Sequence, residues 1–233
     1  MAATPGFTVR TRSRRIVTTT VAVALVATAG IGVMHMPFAR SLLMSAGGCP
    51  MAGRANAESD KRARDMALDT ERGTESAPAR PALGFALDST TADEVHAWEK
   101  RQDLDCDSPH DGLVVCHGVP ASALGEASDD KVTDLALQFS PAGKLVNMTT
   151  WRDRLTPETA SKTALQIVSS LEAKLGPPET KAGDFGAARL GAPPAYSVST
   201  VAYRYSDYVA EVTAMNAPSG GPSIREHYMS ARD

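Results

Sequence analysis

Along the chain, the hydrophobic positions change period several times, and each change marks an element. Leu83 to Leu87 is a short apolar segment. It is followed by Thr91-Ala92-Asp93-Glu94, the T-x-x-E spacing of a capping box, in which the threonine hydroxyl meets the third amide and the glutamate reaches back. The spacing predicts a helix through about Arg101 with Val95 and Trp98 turned to the core. Leu104-Asp105-Cys106 and Leu113 to Cys116, parted by turn formers, read as two strands. Leu135, Leu137 and Phe139 alternate along a strand, Ser140-Pro141-Ala142-Gly143 turns, and Lys144 to Trp151 returns, a clear hairpin pattern. Thr156-Pro157-Glu158 starts a second helix with a hydroxyl cap, a first-turn proline and an acidic residue at the positive end of the helix dipole. Its apolar stripe runs Ala160, Ala164, Ile167, Val168, Leu171, Leu175, and Gly176-Pro177-Pro178 stops it. Ser197 to Tyr205 and Tyr208 to Met215 form a further hairpin around Ser206-Asp207, and Ile224 to Ser230 reads as a last strand. Two helices packed on one face of a mainly antiparallel sheet of about seven strands give an α+β domain over residues 82–233. The order of elements hints at two similar halves, each a helix followed by strands.

Before that domain the pattern is different. Residues 1–15 form a basic segment with Arg10, Arg12, Arg14 and Arg15, and Ile16 to Val33 comes next as 18 residues without a charge. That length reaches a bilayer-spanning helix, and the order, basic then apolar, places the rest of the chain outside the cytoplasm. Residues 16–38 are therefore expected to be a transmembrane signal anchor or a signal peptide. Three fates stay open: an uncleaved anchor, cleavage after the small-x-small pattern Ala27-Thr28-Ala29, or lipidation of Cys49 after Ala46-Gly47-Gly48, which lacks the usual leucine. Residues 39–81 are poor in large apolar side chains, with Met66 and Leu68 too few to bury. They are expected to be a charged flexible linker carrying, at most, a marginal helix near Asn56 to Asp69.

Charge narrows the partners. All 27 acidic residues lie at Glu58 or later, while only 19 of the 24 basic residues come after Arg40. The later part repels phosphate backbones, and no Lys/Arg stripe interleaved with aromatics offsets this, so no nucleic acid is expected as a partner. The expected contacts are the membrane, through the N-terminal helix, and a protein of the bacterial cell envelope.

In an oxidising compartment Cys106 and Cys116, on neighbouring strands, read as a disulfide. The competing reading makes Cys106, His110, Cys116 and His117 a zinc site of an extracytoplasmic metal-dependent enzyme. The spacing C-x3-H-x5-C-H matches no standard zinc module, and adjacent strand residues point to opposite faces. No G-x-S-x-G, H-E-x-x-H, P-loop or G-x-G-x-x-G occurs, so neither a catalytic residue nor a cofactor is assigned. Glu226-His227 fails as an acid/base pair for the same strand geometry and reads as two polar surface residues on a half-exposed strand. Tyr196, Tyr203, Tyr205, Tyr208 and Tyr228 concentrate on the C-terminal strands. They offer a candidate interaction face at Tyr203, Tyr205, Tyr208 and Tyr228, against the plainer account of cross-strand packing.

Leu83-Gly84 through Thr90-Thr91-Ala92-Asp93-Glu94-Val95, Phe139 to Val146, and Leu175-Gly176-Pro177-Pro178 resemble pieces of small envelope lipoproteins of the BamE/SmpA type and of related inhibitor-like folds. The resemblance implies a domain used for protein contacts. It assigns no functional residue.

Overall fold

A computed structural model describes residues 56–126, 130–192, 197–217 and 220–232. Within them the chain is α+β, with four helices and an eight-stranded antiparallel sheet. The apolar segment 16–38 and Cys49 lie outside the described residues. Among the described residues no helix is long and apolar enough to cross a membrane.

The helices are α1 (Ala57–Glu71), α2 (Ala92–Gln102), α3 (Pro157–Leu175) and the single turn α4 (Ala187–Leu190). The strands are β1 (Asp105–His110), β2 (Leu113–Pro120), β3 (Lys131–Phe139), β4 (Leu145–Arg152), β5 (Thr180–Ala182), β6 (Ser197–Arg204), β7 (Tyr208–Ala217) and β8 (Gly221–Ser230). Their order in the sheet is β1-β2-β3-β4-β8-β7-β6-β5. Each half is thus a helix followed by a four-stranded meander, α2-β1-β2-β3-β4 and α3-β5-β6-β7-β8, and the last strands of the two meanders pair antiparallel at the centre.

Local chemistry makes these elements. Thr91 and Glu94 form the expected capping box at α2, and Thr156 caps α3 through the Thr159 amide, with Pro157 in the first turn. At the β3–β4 turn Gly143 takes φ 70°, where a side chain would be strained, and its amide donates to the Ser140 carbonyl at 2.8 Å. Cys106 stands opposite Cys116 in the β1–β2 register, and the two are joined as a disulfide. On one face of the sheet Cys116, Leu135, Leu137, Met148, Val212 and Tyr228 join the stripe of α3 and Val95 of α2 in one core.

The charged stretch before the domain departs from the expected linker over 57–81. Asn56 and Ser59 form a capping box that starts α1, and Leu68 is buried against Val209, Met229 and Ala231. Val209 and Met229 alternate with Tyr208 and Tyr228 of the main core, so α1 lies on the opposite face of the sheet. Gly112 adjoins the start of α1, where an added Cβ would lie 2.7 Å from Ala57, and Gly73 has no room for one beside the Arg204 carbonyl. The chain then runs along the β6–β7 turn: the Ala77 amide donates to Asp207 at 2.9 Å, and the Tyr208 hydroxyl donates to the Pro81 carbonyl at 2.5 Å. The composition concealed this because one leucine and a set of backbone hydrogen bonds, rather than an apolar stripe, hold the segment.

Candidate functional site

Where the two halves meet, a cleft of about 1150 Å³ opens over the central β4–β8 pair. One wall is the side of α3 from Lys162 to Lys174. The facing wall comes from the first half: residues 80–85 and Leu124-Gly125-Glu126, at the end of a 3-10 turn. Glu226 and Tyr228 of β8 form the floor. Clefts between units are where ligands are commonly taken.

Beneath the floor lies a buried charged cluster. Strand parity turns Thr150 and Arg152 of β4, and Glu226 and Tyr228 of β8, toward the same side, with Thr150 opposite Glu226. One Arg152 guanidinium nitrogen donates to Glu226 and the other to Glu126 Oε2 at 2.6 Å. Glu226 also accepts from the Thr150 hydroxyl at 3.0 Å and from the Tyr228 hydroxyl at 2.6 Å. Arg152 and Glu226 are 1% and 0% exposed, so both charges depend on their partners. Burial alone would lower the Arg152 pKa, but the two carboxylates outweigh it and raise it. Burial, with Glu226 beside it, pushes the Tyr228 phenol well above its ordinary value and leaves it a neutral donor.

Glu126 completes the cluster differently. Burial pushes its carboxyl up, Arg152 opposes this, and Glu226 and Asp130 add to the rise. Its Oε1 is buried and has no hydrogen-bond partner among the described residues. Arg80, on the cleft wall, donates to Asp88 at 2.5 Å and to Ser230 at 2.9 Å, while its Nε lies 3.9 Å from Asp207 and, like the Nε of Arg152, is buried with no hydrogen-bond partner among the described residues. The arrangement holds fixed carboxylates at the base of an open groove, with a neutral phenol and a guanidinium keeping them in place.

The residues singled out in the sequence fall elsewhere. The sulfurs of Cys106 and Cys116 are bonded to each other, so neither is a thiolate ligand. His110 faces Asp60 at 3.3 Å, whereas His117 bonds Asp134 at 2.5 Å. Among the described residues no group of three or more His, Cys, Asp or Glu converges as a metal site would require. The tyrosines do not form an exposed contact face: Tyr203, Tyr208 and Tyr228 are buried, and Tyr205, partly buried, bonds the Leu175 carbonyl at 2.6 Å. Their rings pack in the sheet and their hydroxyls reach α3, the Pro81 carbonyl and Glu226. Tyr196 lies outside the described residues. Trp98 packs edge-on to Phe85 at 5.1 Å and donates to the Ala123 carbonyl, as a structural aromatic would.

Glu226 corrects the surface reading. It shares parity with Ile224 and Tyr228 and points inward, whereas His227 faces the other side of the sheet beside Arg225 and Glu211. That parity was the available signal: Met148-x-Thr150-x-Arg152 and Ile224-x-Glu226-x-Tyr228 each run from an apolar core position to a charged one on the same face.

Comparisons of the chain with protein-family models, curated proteins and solved structures give no match.

Proposed function

We propose that this protein is a membrane-anchored extracytoplasmic binding module of the bacterial cell envelope, and that the cleft between its halves takes an extended segment of a protein partner. The observation that carries the reading is the cleft, an open groove bounded by both halves and floored by a preorganised polar cluster. The α3 wall from Lys162 to Lys174 is about 18 Å long at the helical rise, which matches about five or six residues of extended chain at strand spacing. A groove of that form suits a peptide better than a compact ligand. Support for the compartment comes from the Cys106–Cys116 disulfide and from the basic-then-apolar order of residues 1–38. Anchoring by residues 16–38 accounts for both.

The test is site-specific photo-crosslinking in the native membrane. A photoreactive residue at Gln166, on the cleft wall, is expected to capture a reproducible protein band. One at Val198, exposed on the far face of the second half, is expected not to. Capture from Val198 alone, or from neither position, would remove the reading. Intact mass of the same membrane-extracted protein tests the anchor: a full-length mass supports it, and a mass beginning at an acylated Cys49 replaces the helix with a lipid.

A further inference from the structure

The charges that line the cleft divide into those held from behind and those left to solvent. Glu126 and Glu226 are bound to Arg152 beneath the floor, and Arg80 to Asp88. Lys162 and Lys174 are different: both are exposed, at the two ends of the α3 wall, and neither has an ion pair or hydrogen bond among the described residues. Between them α3 turns Leu165, Gln166, Ser169 and Ser170 to the cleft, while its acidic residues, Glu158 and Glu172, lie outside the lining. The charge of this wall is thus wholly positive, in a chain whose part after Arg40 has 27 acidic residues against 19 basic ones.

Apolar surface lies in the same groove. Leu165 is 51% exposed, one of three large hydrophobic side chains left open among the described residues. On the facing wall Leu83 takes φ 50° and Gly84 φ 68°, in a two-residue turn closed by the Phe85 amide donating to the Ala82 carbonyl at 3.0 Å. Such a turn favours Asn-Gly, and a leucine in left-handed backbone is strained. Strain of this kind gathers at functional sites, and the leucine that it presents lines the cleft.

We propose that the cleft selects an extended protein segment with acidic residues at both ends and an apolar residue between them. This rests on the cleft being the binding groove. Lys162 and Lys174 are about 18 Å apart along α3, which sets the two carboxylates about five residues apart at strand spacing. Leu165 and Leu83 hold the apolar residue from opposite walls. The Gln166 amide and the Ser169 and Ser170 hydroxyls, without hydrogen-bond partners among the described residues, pair with the main chain of the segment. The acyl chain of an anionic lipid would bury them unpaired, which favours a protein segment over a lipid.

The test uses the full-length chain in detergent micelles and three fluorescent six-residue peptides: Asp-Ser-Leu-Ser-Ser-Asp, the same peptide with lysine at both ends, and the same peptide with serine in place of leucine. Affinity is read from anisotropy and the site from backbone amide shifts. The acid-ended peptide is expected to bind at least about tenfold more tightly than the lysine-ended one, and the preference to shrink as salt is added. K162E/K174E is expected to reverse that preference, and both positions are exposed, so the fold is kept. Loss of the peptide's leucine is expected to weaken binding about tenfold to the wild-type chain and much less to L165S. Shifts are expected at Gly84, Leu165 and Gln166. Equal affinities for the acid-ended and lysine-ended peptides, or an acid preference kept by K162E/K174E, would overturn the motif. Displacement of the acid-ended peptide by an equal concentration of octanoate would also overturn it, in favour of an acyl site. Crosslinking from Gln166 without acid preference keeps the groove and removes the motif; no crosslinking from Gln166, with peptide shifts away from the cleft, removes both.

Discussion

The two halves repeat one order of elements and meet strand to strand, yet they are held together by different means. In the first half α2 is 11 residues long and fully buries one side chain, Val95, while the outer strand β1 buries none. In the second half α3 is 19 residues long and buries seven, and the outer strand is cut to three residues. The disulfide lies where burial is thinnest, tying β1 to β2. A repeated topology therefore does not require repeated energetics: a covalent link can stand in for an apolar helix face. Between the halves neither device operates alone, because buried ions are set into the seam.

The largest loss is expected at that seam. R152M is expected to cost about 3–5 kcal/mol by leaving Glu226 and Glu126 buried without their cation, and R152M/E226L to recover part of the loss. Denaturant unfolding of the two variants checks this. Within the second half L171A is expected to cost about 3 kcal/mol, since Leu171 is buried against the core face of the sheet. Removing the link in the first half, C106S/C116S, is expected to cost about 2–3 kcal/mol for the short loop that it closes. Hydrogen exchange is expected to place that loss at β1 and β2 and to leave the amides of β6 to β8 protected.

A smaller effect separates the faces of the sheet. Burial and the Arg225 charge push His227 down to about 4, with Glu211 opposing them. A histidine depressed below its unfolded value adds stability above about pH 6.5, and that stability is lost as pH falls through about 4. With its partial exposure discounted, about 1–2 kcal/mol is expected across this window. H227Q is expected to flatten that part of the stability curve. L68A is expected to cost no more than about 2 kcal/mol, the low end for a leucine, because Leu68 anchors α1 in a small cluster apart from the main core.

What the sequence made legible was local. The capping box at Thr91, the proline-started α3 and the turn at Gly143 each combine a hydrophobic period with turn or cap chemistry at its ends, and the structure forms them as expected. Elements without that coincidence escaped. β5 is three residues with none buried and α4 is a single turn, while α1 forms where a marginal helix was expected but its docking on the sheet, through Leu68 and backbone contacts, was not. The central β4–β8 pairing joins residues more than 70 apart, and nothing local announces it. The charged cluster depends on that pairing. Inward parity at Arg152 and at Glu226 could be read separately, but their meeting could not.

Binding in the seam cleft, rather than on the opposite face of the sheet, is the property on which the proposed function stands. The direct measurement is recovery of the crosslinked partner by full-length chains carrying S170W, which fills the cleft, or V198D, which charges an exposed position on the far face. Recovery reduced at least about tenfold by S170W and unchanged by V198D is the result expected when a groove is blocked. Recovery kept by S170W and lost by V198D would contradict the account.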